Sequence, residues 1–178
     1  YLDDDDIFLP DHLETLVDCL EQNGYQVAYT DAYRALQVYQ DGSYIITERD
    51  IPYSIDFSKD ILLTQNISPV NCFMHTRQCL IDVGLFDENF HAHEDWELWV
   101  RISRKYDFKH IKKVTADFRW RMDGSTMSSS SRREFLRTME EIFRRYHSYA
   151  QGKEEVINKQ KGNLINLQRL VAQEKPSQ

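Results

Sequence analysis

The alternation of apolar and polar residues divides the chain into short helices and strands that follow one another along the sequence. Over residues 10–23 apolar side chains recur every three or four positions between Pro10 and Gly24, which predicts a helix with one apolar face. Apolar runs bounded by turn residues predict strands at 25–30, 34–40, 43–48, 70–75 and 108–120. Further helices are expected at 58–64, 77–83 and 94–105. The pattern therefore predicts a mixed α/β domain.

The strands at 34–40 and 43–48 are separated only by Asp41 and Gly42. A two-residue type I′ turn requires a positive φ at both positions, and an Asp-Gly pair is among the most common solutions. The sequence therefore predicts a tight β-hairpin at this point.

From Arg132 onward the chain becomes a helical pattern rich in Arg and Glu, after a Ser-rich loop at 124–131. The spacing of apolar residues loosens after Gly152, which predicts two helices or one interrupted helix. We expect these helices to pack on the preceding domain, with a homo-oligomer contact through 132–175 as the alternative. The chain is accordingly divided into a domain at 1–131 and a helical extension at 132–178.

Composition places the chain among globular proteins and limits the classes of partner that it could bind. Its 178 residues are 41% hydrophobic and 29% charged, which is sufficient for one domain with a sizeable core. A net charge of −7 argues against a general nucleic-acid binder, which would need a basic face. Acidic residues prevail in 1–60, whereas Arg and Lys cluster at 101–121 and 132–161, so a basic wall could face phosphates.

The three cysteines are odd in number and lack CxxC spacing, so they indicate neither a disulfide framework nor a zinc site, and a reducing compartment is expected. No apolar run approaches the roughly 20 residues of a membrane helix, and no signal peptide is recognisable. We expect a cytoplasmic location, peripheral to the inner face of a membrane in a longer parent protein. Because the chain begins without Met, we also expect it to be a piece of such a parent.

Four consecutive aspartates, residues 3–6, follow Tyr1 and Leu2 at the start of the chain. Like charges at this spacing oppose one another's ionisation unless a cation neutralises them. The apolar pair before them predicts the end of a buried strand that delivers oxygen ligands to a cleft, where Mg²⁺ or Mn²⁺ would bind. A solvated acidic terminus or a helix-capping run is the alternative. An EF-hand is excluded because Ile7 stands where an oxygen ligand is required.

A second acidic pair, Glu94 and Asp95, opens the helix predicted at 94–105. Its simplest explanation is structural, because each acid at a helix N-terminus complements the helix dipole by about 0.3–1 kcal/mol. Beside the large aromatic rings of this segment, a carboxylate could also serve as a general base for a sugar hydroxyl. A zinc site at His91 and His93 is disfavoured because a third ligand is missing.

Four segments of the sequence are together more specific for a protein family than any one of them is alone. They are Leu2-Asp3-Asp4-Asp5-Asp6, Val27-Ala28-Tyr29-Thr30-Asp31, Val83-Gly84-Leu85-Phe86-Asp87-Glu88-Asn89-Phe90 and Glu94-Asp95-Trp96-Glu97-Leu98-Trp99-Val100-Arg101. Together they resemble, over roughly residues 1–130, the C-terminal part of inverting family 2 glycosyltransferases with the GT-A fold. The resemblance implies a mixed sheet with flanking helices, a nucleotide-diphosphate sugar donor and a saccharide, lipid-linked or protein acceptor.

The resemblance also implies roles for individual residues. Asp3 and Asp5 are similar to the DxD motif, in which Asp5 would contact Mn²⁺ or Mg²⁺ on the donor diphosphate and Asp3 would contact the ribose or the metal. Asp95 would be the catalytic base that deprotonates the acceptor hydroxyl during a single displacement at the anomeric carbon. Glu94 and Trp96 would lie in the acceptor site.

Arg119 and Arg121 lie in a segment similar to the mobile loop of these enzymes, where they would bind the diphosphate. Many relatives have His at the position of Arg121, and an Arg can hold a phosphate but does not serve as an ordinary metal ligand. Relatives also carry nucleotide-binding strands before the DxD motif. We therefore expect negligible transferase activity from this chain alone.

Two other functions are compatible with the residues. A nucleotidyltransferase would also need metal-binding carboxylates on an α/β sheet, although it has no evident need for the aromatic-flanked pair Glu94 and Asp95. A non-catalytic scaffold or oligomerisation domain would leave both acidic clusters merely solvated.

Overall fold

The computed structural model describes residues 1–126 and 131–173, which form a mixed sheet with flanking helices. The strands are β1 Ile7–Phe8, β2 Val27–Gln40, β3 Ser43–Tyr53, β4 Phe73–His75 and β5 Phe108–Arg121. Their order is β1-β5-β2-β3, and β4 also pairs with β2. The central pair, β2 and β5, is parallel, and the other pairs are antiparallel.

The helices lie between the strands and after the last of them. They are α1 His12–Asn23, α2 Lys59–Leu62, α3 Arg77–Val83, α4 Glu94–Ser103, α5 Arg132–Arg145, α6 His147–Ala150 and α7 Glu154–Ala172, with a 3₁₀ helix at Val70–Cys72. Over the two described ranges, no helix is both long and apolar enough to cross a membrane. The predicted α/β class is confirmed. Residues 127–130 of the predicted loop and 174–178 of the predicted extension lie outside the described ranges.

Most strand predictions are confirmed, with changes of extent, and the strand predicted at 43–48 continues to Tyr53. The strands predicted at 25–30 and 34–40 form the single strand β2, because pairing with β5 continues along both halves. The predicted strand at 70–75 begins as a 3₁₀ turn and becomes extended only in β4. The hairpin turn is confirmed, since Asp41 and Gly42 have φ values of 51° and 86°.

The prediction that Tyr1 and Leu2 end a buried strand is wrong. The two side chains are 44% and 52% exposed, and β1 follows the aspartates instead of preceding them. A turn closed by the hydrogen bond from the Asp6 N–H to the Asp3 carbonyl, 3.2 Å long, turns the first residues away from the line of β1. Tyr1 instead donates or accepts a 2.7 Å hydrogen bond with His75 through its hydroxyl.

A continuous hydrophobic cluster joins the C-terminal helices to the sheet. Trp99 of α4 stacks on Phe73 of β4, with ring centroids 4.3 Å apart, and both belong to this cluster. The same cluster includes Ile142 of α5 and Val156 of α7, so the core crosses the predicted boundary after residue 131. The C-terminal helices therefore pack on their own chain, as expected. The division into two domains and an oligomer contact through 132–175 stay predictions.

A buried ion-pair network fastens α4 to α5. Glu97 is fully buried, and each of its carboxylate oxygens accepts a 2.9 Å hydrogen bond from Arg101 Nε. Arg145 Nη1, at 3.2 Å, and the Tyr146 hydroxyl donate to the same carboxylate from the C-terminal end of α5. Arg101 also donates to backbone carbonyls in the segment 83–85. The burial of this carboxylate is tolerated because it is both paired and hydrogen-bonded.

Replacing Glu97 with alanine would leave Arg101 and Arg145 without their shared partner. We expect the free energy of unfolding to fall by about 3 kcal/mol, the lower end for a broken buried pair because both guanidinium groups are partly exposed. Urea denaturation of the chain measures the change. The matched control Glu134→Ala removes a surface pair with Arg137, outside this network, and should cost less than about 1 kcal/mol. Equal losses in the two variants would contradict the structural role of Glu97.

Candidate active site

A cavity of about 550 Å³ brings together the two acidic segments that the sequence singled out. It is lined by the aspartates at 3–6, by residues 92–95 at the start of α4, by 118–121 at the end of β5, and by Phe135 of α5. Asp3, Asp5, Glu94, Asp95, Arg119 and Arg121 are all among the lining residues. The cavity therefore collects every predicted site residue except Trp96.

Asp6 anchors the acidic run to the end of β5. The buried carboxylate accepts hydrogen bonds of 2.9 Å from the Arg119 backbone N–H and from Asn71 Nδ2. Burial raises the pKa of Asp6 to about 7, with the charges of Asp5 and Asp3 adding to the shift and the Arg119 N–H opposing it. Asp6 is a positioning group that sequence reasoning did not separate from its three neighbours.

Asp3 and Asp5 extend from this anchor into the cavity. Burial raises the pKa of Asp3, and the charges of Asp5 and Asp4 raise it further. Among the described residues, no cluster of three or more His, Cys, Asp or Glu side chains could hold a metal ion. Two carboxylates nevertheless fit Mg²⁺ or Mn²⁺, because such ions commonly take one or two carboxylates and complete their shell with water and substrate phosphates.

Arg119 and Arg121 give the opposite charge to the same part of the cavity. Arg121 Nη2 lies 3.1 Å from Asp5 Oδ2, and its guanidinium group lies 5.0 Å from the Tyr44 ring centroid. The Nε atoms of both arginines are buried and have no hydrogen-bond partner within the described ranges. Because an unpaired buried donor is costly, these atoms favour an anionic ligand such as a phosphate.

Asp95 lies at the N-terminus of α4 with both carboxylate oxygens held in place. Oδ1 accepts a 2.6 Å hydrogen bond from the Trp96 backbone N–H, and Oδ2 accepts a 2.7 Å hydrogen bond from Asn66 Nδ2. Asn66 is itself oriented, because its Oδ1 accepts a 3.0 Å hydrogen bond from the Ile67 N–H. The position of the Asp95 carboxylate is therefore fixed by two elements of the fold.

Burial raises the pKa of Asp95 to about 7, and the charges of Glu94 and Asp3 contribute to the increase. The hydrogen bonds from Asn66 and Trp96 act in the opposite direction, because they stabilise the ionised form. The contribution of Asp3 reflects how close the acidic run lies to α4. A carboxyl group with a pKa near neutrality can accept a proton at physiological pH, as a general base must.

Glu94 lines the cavity beside Asp95, but the structure places Trp96 in the core. The Trp96 side chain is 1% exposed, and its indole N–H donates a 2.7 Å hydrogen bond to the Leu62 carbonyl. Its ring also packs edge-on against Phe143 of α5. The predicted acceptor-site role is corrected for Trp96, because the helical turn directs this side chain to the apolar side of α4.

His93 and Phe135 line the cavity although the sequence did not assign either of them to the acceptor site. Their rings meet edge-on with centroids 4.6 Å apart, and His93 Nδ1 lies 3.0 Å from Thr138 Oγ1 of α5. Burial lowers the pKa of His93 to about 4, so the ring is neutral at physiological pH. Phe135 could not be found from the sequence, because its approach to α4 depends on how the C-terminal helices pack.

This fold and this combination of paired carboxylates with guanidinium groups are typical of enzymes that transfer groups from nucleotide diphosphates. The model of the family described as "Glycosyltransferase like family 2" matches residues 1–166, and the chain therefore belongs to this glycosyltransferase family. The mixed sheet with flanking helices is consistent with a GT-A-like domain. The family and the fold predicted from the sequence are both confirmed.

Two curated proteins are similar to the chain at low identity. The uncharacterized glycosyltransferase YwdF of Bacillus subtilis is 23% identical over 143 residues, which cover 78% of this chain and 52% of that protein. An uncharacterized glycosyltransferase of Rickettsia bellii is 27% identical over 132 residues, which cover 74% of this chain and 18% of that protein. The chain thus spans about half the length of the first relative and less of the second.

The pKa of Asp95 is directly measurable by an NMR titration of carboxyl carbons in the chain. We expect a value of about 7, which Glu94→Gln should lower by removing a like charge and Asn66→Ala should raise by removing a hydrogen bond to the ionised form. The control Glu88→Gln changes an exposed residue outside the cavity and should leave the pKa unchanged. Shifts in the reverse directions would contradict this account.

The same pKa determines how Asp95 contributes to stability. The folded-state pKa of about 7 lies above the unfolded value of about 3.9, so the folded chain holds the additional proton between these two values. The contribution of Asp95 is therefore fully present below about pH 4 and is lost as the pH rises towards about 7.

Proposed function

We propose that this chain forms the catalytic and acceptor-binding side of an inverting glycosyltransferase, which moves one sugar from a nucleotide-diphosphate donor to an acceptor hydroxyl. The observation that carries the proposal is the meeting of Asp95 with the acidic run and the two arginines in one cavity. The family favours sugar transfer over nucleotidyl transfer. The acceptor is a saccharide, a lipid-linked molecule or a protein.

In the proposed reaction, Asp95 accepts the proton of the acceptor hydroxyl as that oxygen attacks the anomeric carbon. A new glycosidic bond forms while the bond between the anomeric carbon and the diphosphate oxygen breaks, and its electron pair leaves with the diphosphate. Because attack and departure occur on opposite faces of the carbon, the configuration inverts. Asn66 keeps the Asp95 carboxylate oriented throughout this step.

Arg119 and Arg121 bind the departing diphosphate, and their unpaired Nε donors support this role. Asp5 and Asp3 would hold Mn²⁺ or Mg²⁺, which when bound neutralises charge on the diphosphate. The ion pair between Asp5 and Arg121 must then loosen, because the carboxylate and the guanidinium group each gain a partner of opposite charge. A cytoplasmic location and negligible transferase activity of this chain by itself stay predictions.

Asp95→Asn in the intact protein tests the base. We expect kcat for sugar transfer to fall by about 10²–10⁴-fold, while the affinity for a nucleoside diphosphate changes little. In the wild type, kcat/KM should rise with pH through about 7, because Asp95 must be ionised to accept the proton. Radiolabelled sugar transfer measures both quantities. An unchanged kcat in Asp95→Asn would remove this residue from the base role.

Asp5→Asn tests the metal site independently of turnover. Calorimetry of the intact protein with a panel of nucleoside diphosphates should show binding that depends on Mn²⁺ and that is lost in this variant. The control Asp18→Asn changes an exposed carboxylate on α1 and should bind like the wild type. Mn²⁺-dependent binding that survives in Asp5→Asn would place the ion elsewhere.

A further inference from the structure

The hydrogen bonds of Thr138 determine which nitrogen of His93 carries a proton. The Thr138 hydroxyl donates to backbone carbonyls one turn earlier in α5, of which the Glu134 oxygen is the nearer at 2.9 Å. When the single proton of this hydroxyl is directed to the Glu134 carbonyl, Thr138 Oγ1 is the acceptor at the His93 contact and Nδ1–H is the donor. A neutral imidazole then has an unprotonated Nε2, which can only accept a hydrogen bond.

Nε2 of His93 has no hydrogen-bond partner within residues 1–126 and 131–173. In these ranges Nε2 is not among the fully buried side-chain atoms that lack a partner, so part of its surface is accessible. His93 is one of the residues that line the cavity. The rings of Trp96 and Phe135 pack edge-on against the imidazole and leave it little room to turn. The lone pair of Nε2 is thus an available acceptor at the wall that also holds Asp95.

The backbone of His93 supports a role in the site. Its φ of 58° is left-handed, a conformation that costs a residue with a side chain roughly 1–2 kcal/mol. His93 is the N-cap of α4, yet its side chain makes no capping hydrogen bond. A residue chosen for helix capping alone would use its side chain on the first turn, as Ser, Thr, Asp or Asn does. The imidazole instead contacts Thr138 and Phe135 of α5, and His93 is one of the residues that line the cavity.

We propose that His93 is an acceptor-binding residue whose Nε2 accepts a hydrogen bond from the hydroxyl adjacent to the one that Asp95 deprotonates. Two hydrogen-bond acceptors on one turn select a substrate with two neighbouring donors, which a vicinal diol provides. A serine, a threonine, a phenol or a lipid phosphate offers one donor at most. The proposal rests on the proposed function and narrows the acceptor class to a saccharide, whose C–H face can pack on the nearby ring of Phe135.

The tautomer can be tested on this chain without any substrate. Nitrogen NMR of histidine-labelled chain should show that at neutral pH the Nδ1 of His93 is protonated and Nε2 is not. Thr138→Val removes the acceptor of the Nδ1–H bond, so in this variant the proton should no longer be confined to Nδ1. A wild-type ring protonated on Nε2 would overturn the proposal, because that atom would then be a donor.

The binding role is tested in the intact protein with methyl hexopyranosides and their monodeoxy derivatives as acceptors. His93→Asn suits a left-handed backbone and can keep the bond to Thr138, but it lacks an atom at the place of Nε2. We expect the acceptor KM to rise about 3–10-fold, the effect of one neutral hydrogen bond, with the donor KM unchanged. His91→Asn changes an exposed residue outside the cavity and should match the wild type.

The deoxy acceptors separate a direct contact from an indirect one. With the wild type, the acceptor KM of the derivative that lacks the neighbouring hydroxyl should rise by the same factor. With His93→Asn, the KM of this derivative should equal that of the complete hexopyranoside, since the two changes remove one interaction. If His93→Asn does not fold, His93→Gly relieves the left-handed backbone and serves for the same comparison.

Two outcomes would overturn the proposal, and each is distinguishable from failure of the proposed function. In the first, Asp95→Asn abolishes transfer but His93→Asn leaves the acceptor KM unchanged. In the second, the enzyme transfers sugar to a serine peptide or to a lipid phosphate that carries no sugar, but to none of the hexopyranosides. Failure of the proposed function would appear instead as transfer that persists in Asp95→Asn.

Discussion

The hydrogen bond from the Arg119 backbone N–H to the Asp6 carboxylate connects the acidic and basic halves of the cavity. At Arg119 β5 pairs with β2 in parallel, and two to three residues earlier, at Asp117 and Ala116, it also pairs with β1, so its backbone has little freedom to move. Asp6 is therefore attached to a strand that the sheet holds on both sides. The neighbouring aspartates repel one another, and two contacts oppose that repulsion: the fixed carboxylate of Asp6 and the ion pair between Asp5 and Arg121.

α4 carries cavity-lining residues on one side and buried residues on the other. The first turn presents Glu94 and Asp95 to the cavity, whereas Trp96 and Glu97 are buried against the core and α5. The ionised form of Asp95 is disfavoured by its burial, and the network around Glu97 holds the helix in place in spite of that cost. The cost of burying the Asp95 carboxylate is therefore offset by residues outside the cavity, such as Glu97.

Local patterns were sufficient to predict the helices, the hairpin at Asp41 and the long strand β5, because periodicity and turn chemistry depend on neighbouring residues. The acidic segments were also recognisable, although their roles came from a family resemblance. The burial of Trp96 was missed because an aromatic residue next to Glu94 and Asp95 in the sequence can face either side of the helix. The position of His93 was missed because its tautomer and its access to the cavity depend on Thr138, which is distant in the sequence.

α5 contributes at both of its ends to the surroundings of α4. Thr138 and Phe135 contact His93 at the cavity wall. At the C-terminal end of the same helix, Arg145 binds the Glu97 carboxylate. The binding of a molecule at this wall and the packing of α5 onto α4 are therefore thermodynamically linked. By reciprocity, the free energy by which a bound molecule strengthens the packing of α5 equals the free energy by which packed α5 strengthens the binding of that molecule. A loosened C-terminal helix would therefore weaken binding at this wall even though it leaves the acidic run untouched.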